Sequence, residues 1–312
     1  MQPINYGTLR TQPCPVCGCG SWATVTPRGD GGSIVRCADC AHLYLNPTIP
    51  PALLNELYEH EYFEMPDDDA WLRQLDGWVR DPGGPHQKAI EFLDAALPPG
   101  ALVCEVGCSA GRFLHELERK GYLVKGLEPN RKGVALASSR FGIELHRGFL
   151  AEPLPEGFRG AFSAVCAFEV IEHVHEPLAF ARACASLLKP GGQLVLSTPN
   201  FRLFDSLGSR HSDLNMQEHI QYFTRATLSA LLTRAGFETI EARTEGRQAL
   251  GERLHARFAP AVFRTSLWQS LRGLPLIRAI KTSAIGILGR LRTPLDRAGE
   301  SGNYIFATAR KA

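Results

Sequence analysis

Apolar and polar positions change period several times along the chain, and each change marks an element. Ala52 to Tyr58 and His86 to Leu97 space their apolar residues three and four apart, which predicts two amphipathic helices, and Pro98, Pro99 and Gly100 then punctuate the start of a strand. From 101 to 121 an apolar run (ALVCEV) passes through a glycine-bearing turn into a helix stopped by Gly121, and YLVKGLEP is a second apolar run closing on Glu128. Further strands are expected ahead of HRGFL, up to Phe168, in GGQLVLSTPN, in FETIEART and in the terminal GNYIFATARK, with a helix opened by Thr224 ahead of FETIEART. Strands alternating with helices imply an α/β fold.

With 44% hydrophobic and 21% charged residues among 312, the composition is that of an ordinary globular chain, long enough for one α/β domain with attachments. The N-terminus lacks a basic start followed by an apolar run, and no stretch reaches the roughly 20 apolar residues of a membrane span, so the chain reads as cytoplasmic. The net charge of +2 announces no nucleic-acid partner.

Nine cysteines in such a chain point to metal ligation and reduced thiols. Cys14, Cys17, Cys37 and Cys40 form two CxxC pairs with nineteen residues between the inner cysteines, the spacing of a four-thiolate zinc ribbon over residues 1–46, with Cys19 and His42 as spare candidates. So short a segment cannot bury enough core to fold alone, which makes the zinc structural. Only Arg10, Arg28 and Arg36 supply positive charge there, too little for a phosphate-binding surface. Residues 47–84 are read as a helical linker.

Glu105, Gly107, Cys108 and Gly111 lie on the turn after the first strand, where the glycines let a ligand approach the backbone and a helix N-terminus offers its amides. Such a turn is shared by many nucleotide-binding proteins. Glu128, followed by Pro129, sharpens the signal, because an acid ending the second strand can accept from both hydroxyls of a ribose. In that order, EVGCSAG, GLEPN, AFEVIEHV and LLKPGGQLVLSTPN resemble the successive motifs of class I S-adenosylmethionine-dependent methyltransferases. The resemblance covers residues 85–245 and the strand at 301–312. It implies a Rossmann-like seven-stranded methyltransferase sheet with a reversed last strand. By the same resemblance, Glu105, Gly107 and Gly111 would cradle the methionine end and Glu128 the ribose. Phe149 and Leu150 would lie at the adenine edge, and Phe168 beside the methyl group. Many members carry an acid after the third strand, where this chain reads HRGFLAEP.

On the acceptor side, a helical turn over Glu169–Val174 would place Glu169, Glu172 and His173 on one face. With His219 they form a set able to hold Mg2+ or another divalent ion, a pattern similar to that of small-RNA 2′-O-methyltransferases and ubiquinone-pathway O-methyltransferases. Without an ion, these acids and histidines would cap the turn, leaving His173, His219 or Tyr222, with Glu172, for acid–base work. His175 and His211 read as loop residues.

From Arg247 to Arg297 nine arginines and one lysine face only Glu252 and Asp296, interleaved with Trp268, Phe258 and Phe263. This insertion, residues 246–300, reads equally as an amphipathic helix at the inner membrane face and as a hairpin shaping the acceptor pocket, with a phosphate-rich or nucleic-acid acceptor third. The arrangement as a whole resembles bacterial zinc-ribbon methyltransferases of glycan and natural-product pathways. That implies O-methylation of a sugar, polyol or lipid-linked small molecule. Sugar C-methylation, RNA 2′-O-methylation and a cofactor-sensing scaffold are the alternatives, and the oligomeric state is left open.

Overall fold

Strands buried on both faces need apolar residues at consecutive positions, and two segments satisfy this: β4 (Leu102–Val106) and β7 (Phe162–Phe168), in which all but Leu102 are buried. They form the centre of the larger of two sheets in the computed structural model, which describes residues 9–28, 31–61, 67–203, 218–248 and 302–312. β4 pairs in parallel with β5 (Leu123–Glu128) on one side and β7 on the other. β5 continues to the short β6 (His146–Arg147), and β7 to β8 (Leu188–Pro199). β11 (Gly302–Lys311) runs antiparallel to β8, and β10 (Phe237–Gln248) antiparallel to β11. The order β10-β11-β8-β7-β4-β5-β6 is the expected seven-stranded sheet with its last strand reversed. Between β4 and β7 the winding changes direction, which opens a crevice at the carboxyl ends of those strands.

Helices cover both faces. α2 (Asp68–Arg80) is capped by the Asp67 side chain and buries Trp71, Leu75 and Val79 at four-residue spacing. α3 (Pro85–Ala96) buries Ala89, Ile90 and Leu93, and α4 (Arg112–Arg119) Phe113, Leu114 and Leu117. α5 (Arg131–Leu136) starts at Asn130, whose side chain accepts from the Gly133 amide. α6 (Pro177–Leu187) leads into β8, and α7 (Arg225–Arg234) opens on a reciprocal cap between Thr224 and Thr227. α1 is shorter than expected, Pro51–Glu56, because Leu57–Glu61 continues as a π-helical turn.

The N-terminal segment forms a second antiparallel sheet from β1 (Trp22–Pro27), β2 (Ser33–Cys37) and β3 (Leu43–Asn46). Its fourth strand, β9 (Gln221–Tyr222), comes from the segment just ahead of α7 and pairs Leu43 with Tyr222 and Tyr44 with Gln221. The ribbon is therefore sewn into the methyltransferase fold, a long-range pairing that no local period could reveal. No helix among the described residues is long and apolar enough to cross a membrane. The basic insertion falls almost wholly on residues 249–300, outside the described residues, as does His211.

Candidate active site

The crevice brings together the turn after β4, the end of β5 and the turn after β7. Gly107 (φ 74°), Ser109 (φ 52°) and Gly111 (φ 70°) all adopt left-handed backbone, and a Cβ on Gly107 would stand 2.7 Å from Val170 Cγ2. Glu128 is clamped by two amides: Ser109 N–H donates to Oε2 (2.7 Å) and Asn130 N–H to Oε1 (2.8 Å). Burial pushes its carboxyl up to about 7 despite those two donors. Glu105 is buried too, its Oε2 has no hydrogen-bond partner, and burial together with the nearby Glu128 holds it well above the usual carboxylate range. Two buried acids beside an N-terminal helix turn suit a ligand that brings hydroxyl donors and positive charge, as the ribose, ammonium and sulfonium of S-adenosylmethionine do.

Cys108 lines the inner side of this turn, its thiol directed at the Leu127 carbonyl (3.5 Å), and Pro129 joins Glu128 to the cap of α5. Phe149 follows β6 with its ring 37% exposed, and Leu150 is half-buried. Phe168 ends β7, but its ring packs on His86 and Phe113, with centroids 4.5 and 5.0 Å away, in the core beneath α3 and α4.

Across the crevice, Glu172, His173 and His219 offer ligand atoms that all lie within 4.8 Å of one another, and all three residues are buried. Glu169 does not join them. The segment is a left-handed residue (Glu169, φ 52°) followed by a 3-10 turn at Ile171–His173, not one helical turn from 169. That turns the Glu169 carboxylate toward β8, where it accepts from the Ser197 hydroxyl at 2.6 Å. Glu172 accepts from the Thr198 hydroxyl (2.9 Å). His173 Nδ1 lies 3.2 Å from the Glu218 carbonyl and 2.6 Å from the Tyr58 hydroxyl. The Nδ1 side of the ring is thus held by two partners, and Nε2 faces the Glu172 carboxylate, 3.7 Å from Oε1. Burial lowers His173 to about 4, so the ring is neutral near pH 7.

Tyr222 does not face this cluster: its buried hydroxyl donates to the His219 carbonyl (2.8 Å) and accepts from Arg28 (2.9 Å). His175 fastens the linker through the Ile49 carbonyl (2.6 Å). Tyr58, Arg28 and Thr198 border the site without any sequence signal of their own, because a lone Tyr, Arg or Thr carries no spacing pattern.

In the ribbon, Cys14, Cys17, Cys37 and Cys40 converge, with Sγ separations of 3.6 Å (Cys14 to Cys40) and 3.4 Å (Cys17 to Cys37). These exceed any disulfide and approach the roughly 3.8 Å between sulfurs tetrahedrally bound to zinc at about 2.3 Å. Burial raises the Cys37 thiol, but amides of Cys40 and Asp39 and the facing thiols overcome it and bring it to about 7; burial lifts Cys17 to about 11. The donor set fits zinc. Cys19 turns its sulfur to Ser21, and His42 bonds Gln221 (3.0 Å), so neither spare candidate enters the cluster.

A family model described as a methyltransferase domain matches residues 80–242, just over half of the chain. The chain is 42% identical over 116 residues to a ubiquinone biosynthesis O-methyltransferase of Xanthomonas axonopodis pv. citri, and 34% identical over 114 residues to that of Ralstonia nicotianae. These alignments cover 36% and 35% of this chain and span about half the length of each relative, 48% in both cases. Among solved structures, a chain from the Haloferax volcanii complex of the Trm112 methyltransferase activator with a methyltransferase aligns with a TM-score of 0.51 at 16% identity. The alignment covers 79% of this chain and 99% of that one, a likeness of fold. Fold, motif order and family match agree: the chain belongs to the methyltransferase domain family, as a class I S-adenosylmethionine-dependent methyltransferase.

Proposed function

We propose that the enzyme O-methylates a hydroxyl that stands beside a second oxygen in a small-molecule acceptor, a sugar, a polyol or a lipid-linked compound, with a divalent ion held by Glu172, His173 and His219. The observation that carries this reading is the convergence of those three buried residues from two distant segments, with His173 Nε2 facing the Glu172 carboxylate. A cation between them would take the Nε2 lone pair, leaving Nδ1–H to donate to the Glu218 carbonyl, as metal-binding imidazoles commonly do. The relatives named ubiquinone biosynthesis O-methyltransferases support oxygen as the methylated atom. Nothing equivalent favours sugar C-methylation.

S-adenosylmethionine supplies an electrophilic methyl group on a sulfonium. On this reading Glu128 fixes the ribose, Glu105 and the turn Gly107–Gly111 receive the methionine end, and Phe149 and Leu150 border the adenine. A divalent ion at the acceptor side would lower the pKa of a bound hydroxyl and orient it. Burial of His173 and His219 keeps water from competing there, and Thr198 and Tyr58 hold the Glu172 and His173 side chains in place. Zinc at the four ribbon cysteines cross-links the hairpins, a structural role.

The test is transfer of labelled methyl to acceptors with paired and with isolated hydroxyls, before and after chelation and Mg2+ addition, for the wild type and Glu172→Ala/His173→Ala. Mg2+-dependent labelling of paired hydroxyls only, lost in the variant while cofactor binding persists, is the expected outcome. Equal labelling of both classes without any ion refutes it.

A further inference from the structure

The segment that carries His219 is tied down peptide by peptide, and the ties alternate between the catalytic domain and the ribbon. The Glu218 carbonyl lies 3.2 Å from His173 Nδ1, and the Ile220 amide donates to the Glu172 carbonyl (3.0 Å). From the ribbon, the Leu45 amide donates to the Ile220 carbonyl (2.9 Å), and Arg28 Nη1 donates to the His219 carbonyl at 2.6 Å. The same nitrogen reaches the Tyr222 hydroxyl, which itself donates to that carbonyl, closing a triangle about one oxygen. Arg28 is only 6% exposed, although it follows β1 on a small hairpin where an arginine would ordinarily extend into water. Burying a guanidinium is costly unless its hydrogen bonds are made, and those to the His219 carbonyl and the Tyr222 hydroxyl are among the ones that hold it there.

We propose that Arg28 is a positioning residue of the acceptor site, and that the ribbon is a structural half of that site. It acts through His219: the carbonyl it holds belongs to a residue whose imbalance would shift one of the three converging ligand atoms away from Glu172 and His173. The hydrogen bonds of Arg28 to His219 and Tyr222 fall on the acceptor side, whereas Glu105, Gly107 and Glu128 lie on or beside β4 and β5, so its loss is expected to bear on the acceptor half. The inference rests on the cation reading for one of its two readouts and on geometry alone for the other.

The experiment compares full-length wild type, Arg28→Met, which keeps the length of the side chain without its donors, and Arg28→Lys. Four quantities are measured: zinc content, S-adenosylmethionine affinity, Mn2+ affinity by electron paramagnetic resonance, and hydrogen exchange at the Ile220 amide. Arg28→Met is expected to keep its zinc and its cofactor affinity, to bind Mn2+ about 10- to 100-fold more weakly, and to exchange Ile220 faster, with Arg28→Lys restoring part of both. Unchanged Mn2+ affinity and unchanged Ile220 exchange in folded Arg28→Met overturn the proposal. If the wild type itself binds no Mn2+, the cation reading fails and Ile220 exchange alone decides the role of Arg28. If Arg28→Met loses zinc and cofactor together, Tyr222→Phe, which removes only the hydroxyl of the triangle, is measured instead. A weaker shift in the same two quantities is then expected, and no shift in either overturns the proposal.

Discussion

Cofactor affinity should fall as pH falls from 7 to 6, and Glu128 sets how far. Its carboxyl, raised to about 7 by burial, is about half protonated at pH 7 and about nine-tenths protonated at pH 6 in the cofactor-free protein. Accepting from both ribose hydroxyls requires the carboxylate, so binding must expel the proton. The ionised fraction drops about fivefold over that unit, which weakens binding by about fivefold, or about 1 kcal/mol. Calorimetry in buffers of different ionisation enthalpy should register release of about half a proton per cofactor at pH 7 and about 0.9 at pH 6. Glu105 acts in the same direction if its ionised form is also needed, and Glu128→Gln separates the two. That variant sets an amide NH2 against one of the two N–H donors of Ser109 and Asn130, so it should bind more weakly at pH 7 and lose the pH dependence due to Glu128. A wild-type affinity that is flat from pH 7 to 6, with no proton release, would refute the reasoning.

Gly107→Ala combines left-handed strain of about 1–2 kcal/mol with a Cβ pressed against Val170, and should lower cofactor affinity. Gly100→Ala, equally left-handed at φ 79° but with nothing within 4 Å, should cost stability alone; comparable cofactor affinities in the two variants would contradict this. The purified protein should release one zinc per chain on mercurial titration, and Cys40→Ser should hold less and melt earlier; full zinc retention in that variant would remove Cys40 from the site. His86, lowered to about 4 by burial, contributes stability that is fully present above pH 6.5 and lost as pH falls from there toward 4. His86→Phe, filling the space between Phe113 and Phe168, should therefore shrink the loss of unfolding free energy between pH 7 and pH 5 by about 2 kcal/mol, measured by urea denaturation.

The seven strands and the cofactor turn were legible because each is local: apolar runs such as FSAVCAF and a glycine turn ahead of a helix carry their geometry in consecutive residues. The ribbon cysteines were legible for the same reason, since thiolate spacing is close to a description of a tetrahedral site. α2 was expected only as an unbounded part of the helical linker over residues 47–84, although Asp67 followed by Trp71, Leu75 and Val79 is a cap and an apolar stripe. The acceptor side was only half legible. ExxEH suggested one helical face, whereas a left-handed Glu169 rotates its carboxylate away, and backbone conformation at a single non-glycine residue leaves no trace in a spacing pattern. The roles of Arg28 and Tyr58 depend on contacts 191 and 115 residues distant, set by tertiary packing.

The pairing of β3 with β9 also bears on how the chain is made. His42 and Gln221, hydrogen-bonded across that seam, are 179 residues apart. At about 5–20 residues per second, synthesis brings the second partner roughly 10–35 s after the first. Throughout that interval the nascent ribbon presents an unfilled strand edge on Leu43 and Tyr44, the kind of surface that recruits foreign chains. Fragments ending before residue 218 keep that edge permanently and should aggregate where the full chain does not. The ribbon emerges before the methyltransferase domain and is completed late, when a two-residue strand from that domain closes its border.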